Sequence, residues 1–442
     1  MNGKDIDLIE RKLIAKKIQE YEIFWTTTDI HETEFLKNQV DIEREVKDSE
    51  YVLRILSQQD MGTGIGIIKG NSMNPKDIEK NIDSCLLLAK NNVGPKYFFP
   101  RKKANPNIKT FDDRIIKDPV GIMKDSCEVL IKEINDQKGV SPTFGRFRIH
   151  VQREFLRNSN QLDLDSLKTY FFIEFALKAQ KNGSMAESWE VEYVKEKEQL
   201  NLRERVKKWA RIAKDTLNAK MPKSSTDAIV VFPPHVLKNA INPVIGFHAS
   251  GRAFHEKVSL LNLDEIIASE EFSLNDNGLL ESGLRTSSWD GEGNPHQNNL
   301  IINKGNFIKR IYDQKFAIMG NTDSTGNGVR IADGSVINGI TNFQIEPGVI
   351  SIDDLISEIK EGYYIEKCSW LNPDRFSGSF GTEIRNGYYI ENGKFKYPIK
   401  GGNLSGNVLE MIKNCHLISK EREFSANTLF PYMSFTSLKI SS

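Results

Sequence analysis

Cysteine is scarce in this chain: four in 442 residues, at Cys85, Cys127, Cys368 and Cys415, with no Cys-x-x-Cys pair among them. That excludes a zinc ribbon and gives no basis for a disulfide frame. An excess of either charge is missing too, since 60 Lys and Arg balance 60 Asp and Glu. No global positive field draws nucleic acid to such a surface. No apolar run approaches the roughly 20 residues that a bilayer crossing needs. The opening MNGKDIDLIERKL carries charge from its start in place of a signal-peptide core, so a cytoplasmic location is expected. The seven histidines never fall four or five residues apart, so no helical pair of imidazoles reaches one ion from one face.

What is present describes an ordinary globular protein, 39% hydrophobic and 27% charged, with length for about two to four domains. Ile6, Ile9, Leu13, Ile14 and Ile18 recur at helical spacing. Strand-like segments follow at 21–28, 33–46, 51–57 and 64–69. Met61-Gly62-Thr63-Gly64-Ile65-Gly66 superficially resembles a phosphate loop, but it lacks the Lys-Ser/Thr pair and leads into no helix; a glycine-rich strand is the better reading. A helix after Pro75 carries Ile78, Ile82, Cys85, Leu86 and Ala89 on one face, which makes Cys85 a packing residue. Beyond a Pro/Lys/Asn-rich connector at 94–109 the pattern predicts a helix at 112–135. Strands at 146–153, 169–179 and 189–194 and a charged helix at 200–217 come next. Met221 to Ser225 reads as a boundary. The expected architecture is α+β in two domains: an α+β N-terminal domain, 1–222, and a β-rich C-terminal domain, 223–442.

The stretch 228–260 has the look of a site. A β-branched and aromatic run, Ala228 to Phe232, reads as a buried strand, Pro233-Pro234 ends it, and a helix begins at His235. His235, His248 and His255 cluster here. His248 and His255 share a helical face only if Ser250-Gly251 leaves the helix unbroken.

Further on, turn-rich segments appear in order: Ser273-Leu274-Asn275-Asp276-Asn277, Trp289-Asp290-Gly291-Glu292-Gly293, and Ser324-Thr325-Gly326-Asn327-Gly328-Val329-Arg330. Asp374-Arg375-Phe376-Ser377-Gly378, Glu391-Asn392-Gly393 and Ser405-Gly406-Asn407 follow. Each alone is hairpin punctuation. The ordered set resembles the TldD/PmbA family, once called modulators of DNA gyrase, and its PmbA (TldE) branch in particular. In the N-terminal half Asn158-Ser159 is similar to a family Asn-Ser-x-Gly turn, with Gln161 where glycine is usual.

The resemblance implies a zinc-peptidase ancestry in which a helical His-Glu-x-x-x-His and a later cysteine hold the metal. At the matching positions this chain has Asn242, Pro243, Phe247 and Phe430. Zinc hydrolysis needs about three protein ligands, an open position and a base. No catalytic residue or metal ligand is therefore expected in this chain, and zinc is expected in a TldD-like partner. The resemblance implies a heterodimer with that partner, or a homodimer when alone, acting on unfolded or modified peptides without nucleic acid or membrane. Asp290, Glu292, Asn327 and Arg330 are candidates to hold peptide; the alternative is that such turn residues cap backbone amides. A rival reading is an autonomous metal-dependent peptidase using His248, His255 and Glu256, with His235 nearby. A third is a non-enzymatic regulatory binding protein.

Overall fold

The amphipathic stripes at the start of the chain fold against one another. Helix α1 (Lys4–Ala15) buries Ile6, Ile9 and Leu13 against strand β1 (Tyr21–Leu36) and helix α2 (Pro75–Asn91). α2 starts where the Asn74 side chain accepts the Lys76 N–H, with proline at the first helical position. Its stripe of Ile78, Ile82, Cys85 and Ala89 is fully buried. The structure, a computed structural model, describes residues 4–442, so Met1, Asn2 and Gly3 of the charged N-terminal stretch lie outside the described residues.

β1 sits centrally in a seven-stranded antiparallel sheet. The order is β4 (Val93–Gly94), β3 (Gly62–Gly70), β2 (Gln39–Gln59), β1, β5 (Val140–Asn158), β6 (Asp163–Lys181) and β7 (Ser184–Val194). The expected break between 28 and 33 does not occur. β1 runs unbroken to Leu36, and the chain reverses at Lys37, whose φ is 58°, and Asn38. The polar run stays in the sheet because the buried Glu32 carboxylate accepts from both Arg44 and Arg148 of the flanking strands. The predicted helix at 112–135 is likewise two helices, α3 (Asp113–Lys117) and α4 (Pro119–Asn135). Proline excludes the helical conformation from Asp118 before it, and the Asp118 side chain then caps α4 at the Gly121 N–H. α4 and α5 (Leu202–Leu217) cover one face of the sheet and enclose Phe35, Phe147, Phe171 and Phe175. The opposite face carries charge.

The glycine-rich run at 62–66 is part of β3. A Cβ on Gly66 would lie 1.9 Å from the Cys85 carbonyl oxygen, and one on Gly64 1.7 Å from that of Ala89. These glycines let α2 lie directly on the strand, which accounts for them without a phosphate.

A second, twelve-stranded sheet holds the C-terminal half. Its central strand β8 (Ser225–Phe232) pairs parallel to Glu361–Cys368 and antiparallel to Thr428–Ser441. β8 feeds across Pro233 into α6 (Pro234–His248), which continues through Pro243 and buries Leu237, Ile241, Val244 and Ile245 against the sheet. The whole is the expected α+β mixture, with a β-rich C-terminal half. Among the described residues no helix is long and apolar enough to cross a membrane.

Gly66→Ala should force the α2–β3 contact apart and cost about 1–3 kcal/mol, read as a lower urea midpoint.

Candidate functional site

α6 exposes a narrow face where a metal helix would place its ligands. Asn242, Pro243 and Phe247 are each half-buried on that face, and the Asn242 Oδ1 has no hydrogen-bond partner. The Phe247 ring meets Phe376 edge-on, centroids 5.1 Å apart, and the Arg375 guanidinium sits 5.0 Å from the Phe247 centroid. Phe430 is fully buried in the core beneath. Gly246 packs on Ile340: a Cβ there would come within 2.8 Å of the Ile340 Cγ2.

Ile340 also lines a cleft between the charged face of the first sheet and the loops of the second, a cavity of about 380 Å³. Tyr170, Tyr193 and Lys168 form its sheet wall; Arg285, Ser287 and His296 form the opposite one. Lys168 donates to the Glu154 Oε2 at 2.7 Å, and Arg285 donates to the Ile340 carbonyl at 3.1 Å. His296 is buried, and desolvation, with Lys168 nearby, pushes its imidazolium down to about 3.

Beside the cleft, the two halves are locked by charges buried between them. The Glu22 Oε1 accepts from Arg330 Nη2 at 2.6 Å and from Arg54 Nη1 at 3.3 Å. Arg54 Nη2 donates to the Tyr97 hydroxyl at 3.1 Å, and that hydroxyl donates to Glu292 Oε1 at 2.7 Å. Arg330 also donates to the Gly291 and Gly334 carbonyls, and its guanidinium lies 4.4 Å from the Phe24 centroid. Asp290 accepts the N–H groups of Glu292, Asn294 and Gly328. Glu292 Oε2 accepts the Gln314 N–H, and Asp313 caps the following helix at the Phe316 N–H. Burial, and then the Glu292 charge, raises the Asp290 and Asp313 carboxyls; burial raises Glu292 against the pull of Arg54.

Of the residues singled out in the sequence, Asp290, Glu292 and Arg330 thus meet here with all four carboxylate oxygens and both Arg330 terminal nitrogens hydrogen-bonded, while the buried Arg330 Nε has no partner. Asn327 is fully buried nearby, donating to Asp276 and to the Gly339 carbonyl and accepting from Thr325 Oγ1 at 2.6 Å. These four hold loops and sheets together where sequence reasoning offered them to a peptide. The alternative histidine set is not assembled. The helix ends at Ala249, and Ser250 caps a new short helix at the Ala253 N–H. His248 is buried with Nδ1 accepting the Leu260 N–H, and His255 stacks on Phe316. Glu256 pairs with Arg252, and His235 contacts the Glu366 carbonyl. Among the described residues no group of three or more His, Cys, Asp or Glu is placed to hold a metal ion. Sequence reasoning missed Glu22, Arg54 and Tyr97; for Glu22 and Arg54 the signal was a charged residue within each of the apolar runs 21–25 and 51–56.

Comparison with known proteins returns a metallopeptidase family. Residues 225–442, just under half of the chain, match the model of the PmbA/TldA metallopeptidase C-terminal domain, which places this half in the TldD/PmbA family. It is 28% identical over 222 residues to the metalloprotease TldD homolog of Buchnera aphidicola, spanning 49% of this chain and 45% of that one. It is 26% identical over 187 residues to a metalloprotease of Methanothermobacter thermautotrophicus, 42% of this chain and 41% of that one. The chain therefore matches less than half the length of these relatives. The crystal structure of TldE from Thermococcus kodakarensis superposes with a TM-score of 0.87 at 21% identity, covering 99% of both chains. A protein titled a modulator of a DNA gyrase, from Thermotoga maritima, gives 0.84 at 20% identity over 99% of this chain and 100% of that one.

The family implies zinc, and the residues present do not fit it. One neutral amide oxygen, a proline, a phenylalanine and a core phenylalanine supply neither three ligands nor a base, and the Arg375 cation covers Phe247.

Arg330→Met should strand the Glu22 carboxylate and cost about 3–5 kcal/mol, measured by urea unfolding. A folded-state carboxyl pKa above its unfolded value means the native state binds the extra proton, so stability is lost as pH rises. The Asp313 carboxyl should therefore contribute less stability at about pH 8 than at about pH 6, while buried bases such as His296 work in the opposite sense. Asp313→Asn, which keeps the helix cap, should remove that contribution, so the unfolding free energy of the variant relative to the unmutated chain should rise between these pH values.

Proposed function

We propose that this chain is a PmbA/TldE-like, non-catalytic subunit of a TldD/TldE-type zinc metalloprotease assembly in the cytoplasm. A TldD-like partner supplies the zinc; this subunit shapes the chamber and binds unfolded or modified peptide. What supports the reading is the α6 face: Asn242, Pro243 and Phe247, which the family resemblance sets at the ligand and base positions, offer one neutral amide oxygen and no base, and the Arg375 guanidinium lies over Phe247. As folding units we infer 1–222 and 223–442, one for each sheet. Peptide contact then belongs to the cleft beside Ile340, whose tyrosines and cationic side chains are open to solvent or only half-buried, and to its neighbourhood along α6. Charge balance and the lack of a basic stripe leave DNA binding without support.

The test measures metal content and cleavage of an unfolded peptide, first with this chain alone and then after mixing with a TldD-type metalloprotease. Activity confined to the mixture is the expected outcome. Cleavage by this chain alone with bound zinc, abolished by His248→Ala or His255→Ala, would overturn the reading.

A further inference from the structure

The first sheet leaves one long rim open. β2 is 21 residues long, but β3 pairs only with its 51–59 portion. Over the preceding stretch, 39–50, β2 pairs with β1 alone, and the far side of β1 is taken by β5. The outer side of β2 is therefore the edge of the sheet for roughly 40 Å at the rise of a strand. Every residue from 39 to 48 is exposed, Val40, Ile42 and Val46 among them. Among the described residues the only side chain bonded to this stretch of backbone is Asp48, which accepts the Ser49 N–H at 2.9 Å. The opposite rim differs: β7 is met by Lys367 of the second half, which donates to the Trp189 carbonyl.

An open edge pairs with an extended chain that reaches it unless proline, a bulge or a cover prevents this. The 39–50 stretch has no proline, and its one register break, at Asp41, falls near the hairpin tip. What the edge selects is charge. It carries five acids, Asp41, Glu43, Glu45, Asp48 and Glu50, and two bases, Arg44 and Lys47. Both bases are engaged, Arg44 with Glu32 and Glu34 of β1, and Lys47 with Glu45 at 3.0 Å. Glu50 pairs with Lys69 at 2.7 Å. Asp41, Glu43 and Asp48 are left without an ion pair among the described residues. Side chains alternate between the faces of a strand, so Glu43 and Glu45 share one face while Ile42 and Val46 share the other. A strand that fits has Lys or Arg opposite the acids and aliphatic residues between them. A second copy of this chain does not fit, because it brings three more uncompensated acids. Three aliphatic side chains, each about two-fifths exposed, are also few for a permanent subunit interface, and they suit a guest that exchanges.

We propose that the open edge of β2 receives a basic, unfolded peptide as an added strand, held main chain to main chain. This rests on the peptide-binding reading above; it adds a second contact to the cleft and gives the peptide a charge.

The test measures anisotropy of fluorescent peptides on the full chain at low salt, one alternating lysine with valine and one alternating glutamate with valine. The basic peptide should bind about tenfold more tightly, as two or three cross-strand ion pairs allow. Two further basic peptides carry N-methyl groups on one or the other alternate set of residues. The one whose methyls face β2 should lose most of its affinity, and the other should keep it. Asp41→Lys combined with Glu43→Lys should turn the preference toward the acidic peptide with an unchanged urea midpoint, since both side chains are exposed. Equal binding of the acidic and basic peptides, or of the two N-methylated ones, overturns the edge contact and leaves the cleft standing. A basic preference that the double variant does not alter overturns it as well. A dimer of this chain that Val46→Lys dissolves assigns the edge to a second copy and overturns the choice of occupant. Failure of every peptide to bind overturns the edge contact together with the reading beneath it.

Discussion

Taking a carboxylate and a guanidinium out of water is expensive, and the energy is recovered only when each charge finds a partner fixed in place. Glu22 and Arg54, on adjacent strands of the first sheet, meet Arg330 and Glu292 from loops of the second half, with Tyr97 bridging. Glu22 and Glu292 each take a hydrogen bond from the other half. Glu22 without Arg330 would keep only the 3.3 Å contact from Arg54, and Glu292 without Tyr97 would lose its 2.7 Å donor. The two sheets are therefore held in one mutual position by directional bonds, and the cleft beside Trp289 and His296 inherits its shape from that position. Apolar packing reinforces the lock, since Trp289 sits among Leu156, Leu162 and Phe24.

The same economy explains why the α6 region holds a fold without holding its chemistry. The inward face of α6 is filled by Leu237, Ile241, Val244 and Ile245, which the sheet requires. Its outward face is free of that demand, and at 242, 243 and 247 it carries one neutral amide oxygen and no group that moves a proton. Pro243 removes one backbone donor from the helix interior, a tolerable loss in a helix anchored along its length. Arg375 over Phe247 and Phe376 gives the face a positive, aromatic character.

Legibility varied with the kind of interaction. Helical stripes such as Ile78, Ile82, Cys85 and Ala89 stood out because burial imposes the helix period on the sequence itself. The glycine run at 62–66 was readable as a strand, though only the 1.9 Å approach to the Cys85 carbonyl shows why glycine is needed. The strand between 28 and 33 was obscured because Glu32 is polar in sequence and neutralised only across strands, by Arg44 and Arg148. Asp290, Glu292, Asn327 and Arg330 stood out by residue type. Their partners beyond the local turn, such as Tyr97 for Glu292 and Glu22 for Arg330, are tens to hundreds of positions away, and local pattern does not encode such distances.

By itself the sequence determined the α+β class, the resemblance of its turn motifs to the TldD/PmbA family, and the presence of Asn242, Pro243, Phe247 and Phe430 at the positions that resemblance assigns to metal and base. These follow from residue identity and short-range period, which need no third dimension. Tertiary structure alone decided that Arg330 is spent on Glu22, that His248 and His255 part at Ser250, and that the buried Lys195 Nζ has no hydrogen-bond partner. The meaning of a charge depends on what neutralises it, and in this chain those neighbours are brought together only by the docking of two sheets.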